Sequence, residues 1–177
     1  MGRVRTESSR EIYRNAWMSL REDRIVHPDG TPGLYSVVDK PTCACVIPVE
    51  NGGFHLVDQF RYPVGRRSWE FVQGTWPHDG PPGEDLARAE LAEETGLRAR
   101  SVDLLGSIAI APGLTSQTCD VYLATGLTHG EHAREATEQE MAHRWFARAD
   151  FEAMLRDGTV VDGVTLAAYA LYVLRAG

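Results

Sequence analysis

The chain predicts an α+β sandwich built around a mixed β-sheet. Short apolar runs are separated by dense turn signals, one helix-like segment sits in the middle, and two more close the chain,. A length of 177 residues fits one domain with, at most, a small appendage,.

In order along the chain, residues 10 to 40 read as an antiparallel hairpin. Asn15 to Val26 forms one strand, Pro28-Asp29-Gly30-Thr31-Pro32-Gly33 turns the chain, and Leu34 to Val38 returns,. Pro41 breaks this unit. Cys43 to Val49 is a buried strand, Glu50-Asn51-Gly52-Gly53 a turn, and Phe54 to Phe60 the next strand. A turn over Pro63 to Arg67 leads into Trp69 to Val72. The segment Gly83 to Leu97 is a helix, with Glu84 and Asp85 in its first turn and Gly96 placed to end it,. Val102 to Ile110 and Cys119 to Thr125 are further strands. Thr128 to Thr137 is polar and reads as a mobile loop, and His143 to Ala147 as a short strand. Ala149 to Asp157 is a helix stopped at Gly158. Asp162 to Arg175 is the last helix, with Leu166, Ala170, Leu171 and Leu174 on one side,.

Charge and composition exclude several classes. A net charge of -7 argues against a broad nucleic-acid surface, which needs clustered Lys and Arg,. No run of 18 apolar residues is present, so no membrane span is expected,. The first residues lack the apolar stretch of a secretion signal, which predicts a cytoplasmic protein,. Cys43, Cys45 and Cys119 make an odd count, as expected of reduced, buried thiols,.

The middle helix carries the strongest chemical signal. At about 100° per residue, Glu90, Glu93 and Glu94 share one arc of its surface,. Carboxylates at i,i+3 and i,i+4 repel, so the cluster has no stability motive. A divalent cation removes that objection. The competing reading is a solvated acidic face.

Gly74 followed by Glu90-Leu91-Ala92-Glu93-Glu94-Thr95-Gly96-Leu97 resembles the signature of the Nudix hydrolases, which cleave nucleoside diphosphates linked to another group. The resemblance implies an α/β/α sandwich over residues 42–177 and metal held by Glu90, Glu93 and Glu94. It also implies a metal contact from the backbone carbonyl of Gln73. Three positions depart from the pattern: Ala89 stands where the box arginine belongs, Gly80 replaces an expected glutamate, and the loop Thr75 to Pro82 is one residue longer. Residues 1–41 resemble the N-terminal extension of the ADP-ribose pyrophosphatase branch, where it supports a homodimer.

Gln59-Phe60-Arg61 and Trp69-Glu70 are similar to the same branch. Arg61 is the first choice for a substrate phosphate, because a planar guanidinium can engage two phosphate oxygens; Arg66 and Arg67 are reserves. Glu70 either touches the substrate or the metal's water shell, or pairs with an arginine. Pro112, sixteen positions beyond Gly96, is similar to the proline that marks the ADP-ribose branch, and the resemblance implies substrate contacts at Gly113 and Gln117; the alternative is that Pro112-Gly113 simply turns the chain. The chain reads Thr-Ser-Gln where the branch has Ser-Asp-Glu. Gln117 can therefore hydrogen-bond without carrying charge.

The implied reaction is Mg²⁺- or Mn²⁺-dependent hydrolysis of a nucleoside diphosphate sugar, with ADP-ribose leading. Glu90, Glu93 and Glu94 hold the cation, and Glu138 in the polar loop, with Glu140 in reserve, or else one of the three box glutamates, accepts the water proton. Trp17 or Trp76 is a candidate to stack on a base. Two alternatives stay open: a weakly active or inactive domain that senses a nucleotide sugar, and a hydrolase of another nucleoside polyphosphate.

Overall fold

The computed structural model describes residues 2–76, 83–131 and 140–175. Its N-terminal part is a three-stranded antiparallel meander of β1 (Arg5–Arg14), β2 (Ser19–Val26) and β3 (Pro32–Asp39). The sequence led us to expect a hairpin beginning at Asn15. Instead Asn15 makes the turn between β1 and β2, its side-chain oxygen accepting the backbone N–H groups of Trp17 and Met18,. β1 is exposed along its whole length, so no apolar alternation announces it,.

The second part is a seven-stranded mixed sheet made of β4 (Cys43–Glu50), β5 (Gly53–Arg61), β6 (Arg66–Glu70), β7 (Val72–Gly74), β8 (Leu97–Ala109), β9 (Thr118–His129) and β10 (Ala142–Ala147). Its main order is β10-β5-β4-β9-β8, with β4 and β9 parallel. β4 and β5 pair only beside their turn, where Asn51 and Gly52 both adopt positive φ, and then diverge,. β6 pairs with β5 and β7 with β4, filling the opening. That wedge carries Arg61, Glu70, Gln73 and Gly74 to one end of the sheet.

Residues alternate across β4. Cys43, Cys45 and Ile47 face one core with Phe54, Phe71 and Phe151, while Ala44 and Val46 face the other with Leu86 and Leu91,. Helix α1 (Glu84–Thr95) covers the second face; α2 (Arg148–Arg156) and α3 (Gly163–Arg175) cover the first. Leu91 is fully buried, a contribution of about 1.5–3 kcal/mol,. The three cysteines are free and buried.

The face of α3 differs from expectation. Val164, Thr165 and Ala168 are buried, whereas Leu166 and Leu174 are 43% and 81% exposed. Apolar residues surround this helix, so spacing alone cannot choose its inner side. β8 starts at Leu97 rather than Val102, and β9 extends to His129, so the polar segment begins later than its composition suggests. Residues 132–139 of that segment lie outside the described residues.

Candidate active site

α1 is short and tightly specified. Glu84 and Asp85 meet the positive end of its dipole, and Gly96, at φ 74°, ends it by returning its N–H to the Ala92 carbonyl,. Leu86, Ala87 and Leu91 fix the inner face. This leaves Glu90 and Glu94, 7% and 2% exposed, and half-buried Glu93 along one cavity of about 640 Å³. Gly74, at the end of β7, backs directly onto Glu90: a Cβ there would overlap the Glu90 carboxylate. Only glycine admits this approach.

Arg61, Gln73, Gln59, Gln117 and Asp162 share the lining with the three glutamates. Arg61 donates from Nε and Nη2 to Glu70, Nε lying 3.0 Å from Oε2. Glu70 is 1% exposed and also accepts Gln73 Nε2 at 2.8 Å. Gln73 Nε2 reaches Asp162 Oδ2 at 3.0 Å, and the same oxygen caps α3 through the Thr165 N–H,. Burial pushes the Glu70 carboxyl up, while Arg61 and Gln73 pull it down; the balance lies above its ordinary value,. Burial lowers the Arg61 guanidinium and the Glu70 bonds raise it, the latter prevailing. Of the two readings of Glu70, the structure displays the arginine pair.

The structure brings together Glu90, Glu93, Glu94, Gln73, Arg61 and Gln117. The Gln117 amide donates to the Pro41 carbonyl at 2.9 Å. Gly113 lies elsewhere: it is absent from the cavity lining, and its carbonyl accepts the Tyr35 hydroxyl. Its loop docks the N-terminal sheet, through Val38 N–H to Leu114 O and Ser116 N–H to Val38 O. Arg66 and Arg67 line a separate cavity of about 400 Å³, and Glu140 sits beside Arg67. Glu138 falls outside the described residues.

Several lining residues, Asp162, Lys40, Ile110 and Val164 among them, escaped the sequence reading as site members. Asp162 has a legible capping signal, but its bond to Gln73 is tertiary. Lys40 follows β3, and Ile110 follows β8; neither belongs to a motif. Trp17 and Trp76 both line the cavity, Trp17 from the N-terminal sheet.

Arg88 does not replace the arginine missing at Ala89. It donates to Glu84 Oε1 at 2.8 Å and to the Ala99 carbonyl at 2.7 Å, tying α1 to β8.

A helix presenting three carboxylates beneath a wedged mixed sheet is an arrangement of oxygen donors suited to a hard cation and, through it, to an anionic substrate,. Residues 39–168 match the NUDIX domain, and residues 4–38 match the nucleoside diphosphate sugar hydrolase N-terminal domain. The chain belongs to the Nudix hydrolase family. It is 31% identical over 164 residues to an ADP-ribose pyrophosphatase of Mycobacterium tuberculosis, covering 92% of this chain and 79% of that protein. It is 28% identical over 137 residues to a methanol dehydrogenase activator of Bacillus methanolicus, covering 77% and 74%. The crystal structure of an ADP compounds hydrolase superposes with a TM-score of 0.84 at 16% identity, over 99% of this chain and 94% of that one, a likeness of fold.

Nudix hydrolases depend on divalent cations. The residues here fit one: the donors are all oxygens, two of the three carboxylates are buried, and Gly74 leaves room for the Glu90 carboxylate,.

Proposed function

We propose that this chain hydrolyses the diphosphate bond of a nucleoside diphosphate sugar, with ADP-ribose as leading substrate. Mg²⁺ or Mn²⁺ would be held by Glu90, Glu93, Glu94 and the backbone carbonyl of Gln73. One observation carries the reading: three glutamates of one helix face open into a cavity shared with Arg61, Lys40 and two indoles. The relative in M. tuberculosis and the match of residues 4–38 support this choice of substrate.

When bound, the cation offsets diphosphate charge and acidifies the attacking water. Glu70 locks two donors of Arg61, which fixes the plane of the guanidinium and leaves Nη1 for a phosphate oxygen,. Lys40 adds a point charge. Trp17 and Trp76 offer faces for the base or ribose, and Gln117 reads a hydroxyl or amide without adding charge. Glu138 takes the proton from the attacking water, with one of Glu90, Glu93 and Glu94 as the alternative acceptor. A water oxygen–phosphorus bond forms as the anhydride bond breaks; ADP-ribose gives AMP and ribose 5-phosphate.

The same reading makes residues 1–41 the dimerisation element of a homodimer. The exposure of β1 supports this. It places the protein in the cytoplasm, supported by three free, buried thiols,. Among the described residues, no helix is long and apolar enough to cross a membrane.

The test is a panel of nucleoside diphosphate sugars assayed for nucleoside monophosphate release with Mg²⁺, Mn²⁺ or chelator. Cation-dependent release is expected, and Glu94→Gln is expected to slow it at least ~100-fold with an unchanged circular dichroism spectrum. Full turnover by Glu94→Gln would remove that carboxylate from the reaction. Tight nucleotide-sugar binding without product would select the sensor instead.

A further inference from the structure

Four side chains converge at the far end of β4 from the cavity. Cys43 lines the cavity, and Glu50 stands seven residues along the same strand, roughly 23 Å away,. Glu50 Oε2 lies 3.3 Å from His55 Nε2 on β5, and Glu50 Oε1 lies 3.3 Å from His129 Nε2 at the end of β9. One ligand atom from each of the three lies within 4.8 Å of the others. His55 Nδ1 in turn meets His143 Nε2 on β10 at 3.0 Å.

We propose that Glu50, His55 and His129 form a Zn²⁺ site separate from the hydrolytic cavity, with His143 orienting His55. Ligands about 2.0–2.1 Å from a tetrahedral zinc stand roughly 3.3 Å apart; each imidazole lies 3.3 Å from one of the two Glu50 oxygens, and one donor atom from each residue lies within 4.8 Å of the others, so a small side-chain rotation closes the set on a single ion. A ligating histidine needs its other ring nitrogen engaged. A proton on His55 Nδ1 shared with His143 Nε2 turns the His55 Nε2 lone pair toward Glu50,. His55 is 3% exposed and therefore rigidly placed, while the His129 side chain is 63% exposed and leaves an entry path with a fourth position for water,. Trp145 Nε1 donates to the Glu50 carbonyl at 2.9 Å and holds the turn that presents the carboxylate.

The donor chemistry separates the two cation sites. Two imidazoles and one carboxylate suit a borderline metal such as zinc, whereas the all-oxygen set of α1 suits Mg²⁺ or Mn²⁺. Zinc here would join the β4–β5 turn to the ends of β9 and β10, the strands on either side of the connection that contains Glu138.

The test uses the full chain, stripped with chelator and titrated with Zn²⁺, then Co²⁺, in millimolar Mg²⁺. The wild type and a Glu93→Gln/Glu94→Gln variant are expected to bind about one Zn²⁺ per chain, to give the intense visible absorption of tetrahedral Co²⁺, and to gain thermal stability with zinc. His129→Ala, at an exposed position that leaves the fold intact, is expected to bind at least ~10-fold more weakly and to lose that absorption. Zinc that stays with His129→Ala but leaves the double glutamine variant would overturn the proposal. So would a wild type that retains no zinc at micromolar concentration, which would leave the cluster as a hydrogen-bonded network. Binding is the readout, so the result stands apart from any assay of hydrolysis.

Discussion

Glu70 shows how a single buried charge organises this site. Its carboxylate is engaged by Arg61 on one side and Gln73 on the other, and Gln73 passes the constraint to Asp162 and the start of α3. Replacing Glu70 by Gln keeps the volume but removes the charge facing Arg61. We expect a loss of about 1–3 kcal/mol in urea unfolding, discounted for the partly exposed Arg61, together with a raised KM for the diphosphate substrate,. An unchanged KM would mean that Arg61 does not need this anchor. Gly74→Ala acts from the other side of the cavity. Its Cβ would displace the Glu90 carboxylate, so turnover is expected to fall at least ~10-fold,. The helix period alone placed Glu90, Glu93 and Glu94 together, because neighbours on a helix are set by local geometry. The Glu70–Gln73–Asp162 chain was invisible for the opposite reason: it forms only after β6–β7 has entered the wedge and α3 has docked, and Lys40 joins the cavity lining from the end of the N-terminal sheet.

At the scale of elements, legibility followed burial pattern. β4 and β5 are buried and bounded by a turn with two positive-φ residues, and the sequence places both. β1 is polar and exposed on both faces, and α3 is apolar all round; each lacks the one-sided pattern from which orientation is inferred,. Two predictions belong here. Gly96→Ala puts a Cβ on a left-handed residue and is expected to destabilise the chain by about 1 kcal/mol, read from the denaturant midpoint at constant m-value,. The second concerns β2, where Ser9 Oγ, then Arg21, hold the Asp23 carboxyl below its ordinary value of 3.8. A carboxyl whose folded pKa is depressed adds stability that is present above 3.8 and lost as pH falls through the folded value,. Asp23→Asn is therefore expected to be less stable than wild type at neutral pH, with the gap closing below pH 3.8. A gap independent of pH would assign the effect to packing.

For the whole molecule, the question is what the N-terminal sheet is for. It touches the rest of the chain through a narrow seam: Val38 bonds to Leu114 and Ser116, the Tyr35 hydroxyl to Gly113, and Trp17 extends to the cavity rim. Meanwhile Ile12, Tyr13, Leu34 and Tyr35 are 44–62% exposed, an apolar content that an element with so little internal packing would hide in an assembly,. A second exposed apolar strip, Leu166, Val173 and Leu174 on α3, competes for the same role. The two are separable. If the sheet forms the interface, the wild type sediments at twice the chain mass, Ile12→Glu lowers it to one chain by burying an unpaired charge, and Leu174→Glu leaves it unchanged. Dissociation by Leu174→Glu alone would transfer the interface to α3. If Ile12→Glu also raises KM, the sheet would be acting on the cavity as well as on assembly, because Trp17 sits in the turn that closes β1 onto β2 and its position depends on how that sheet is held.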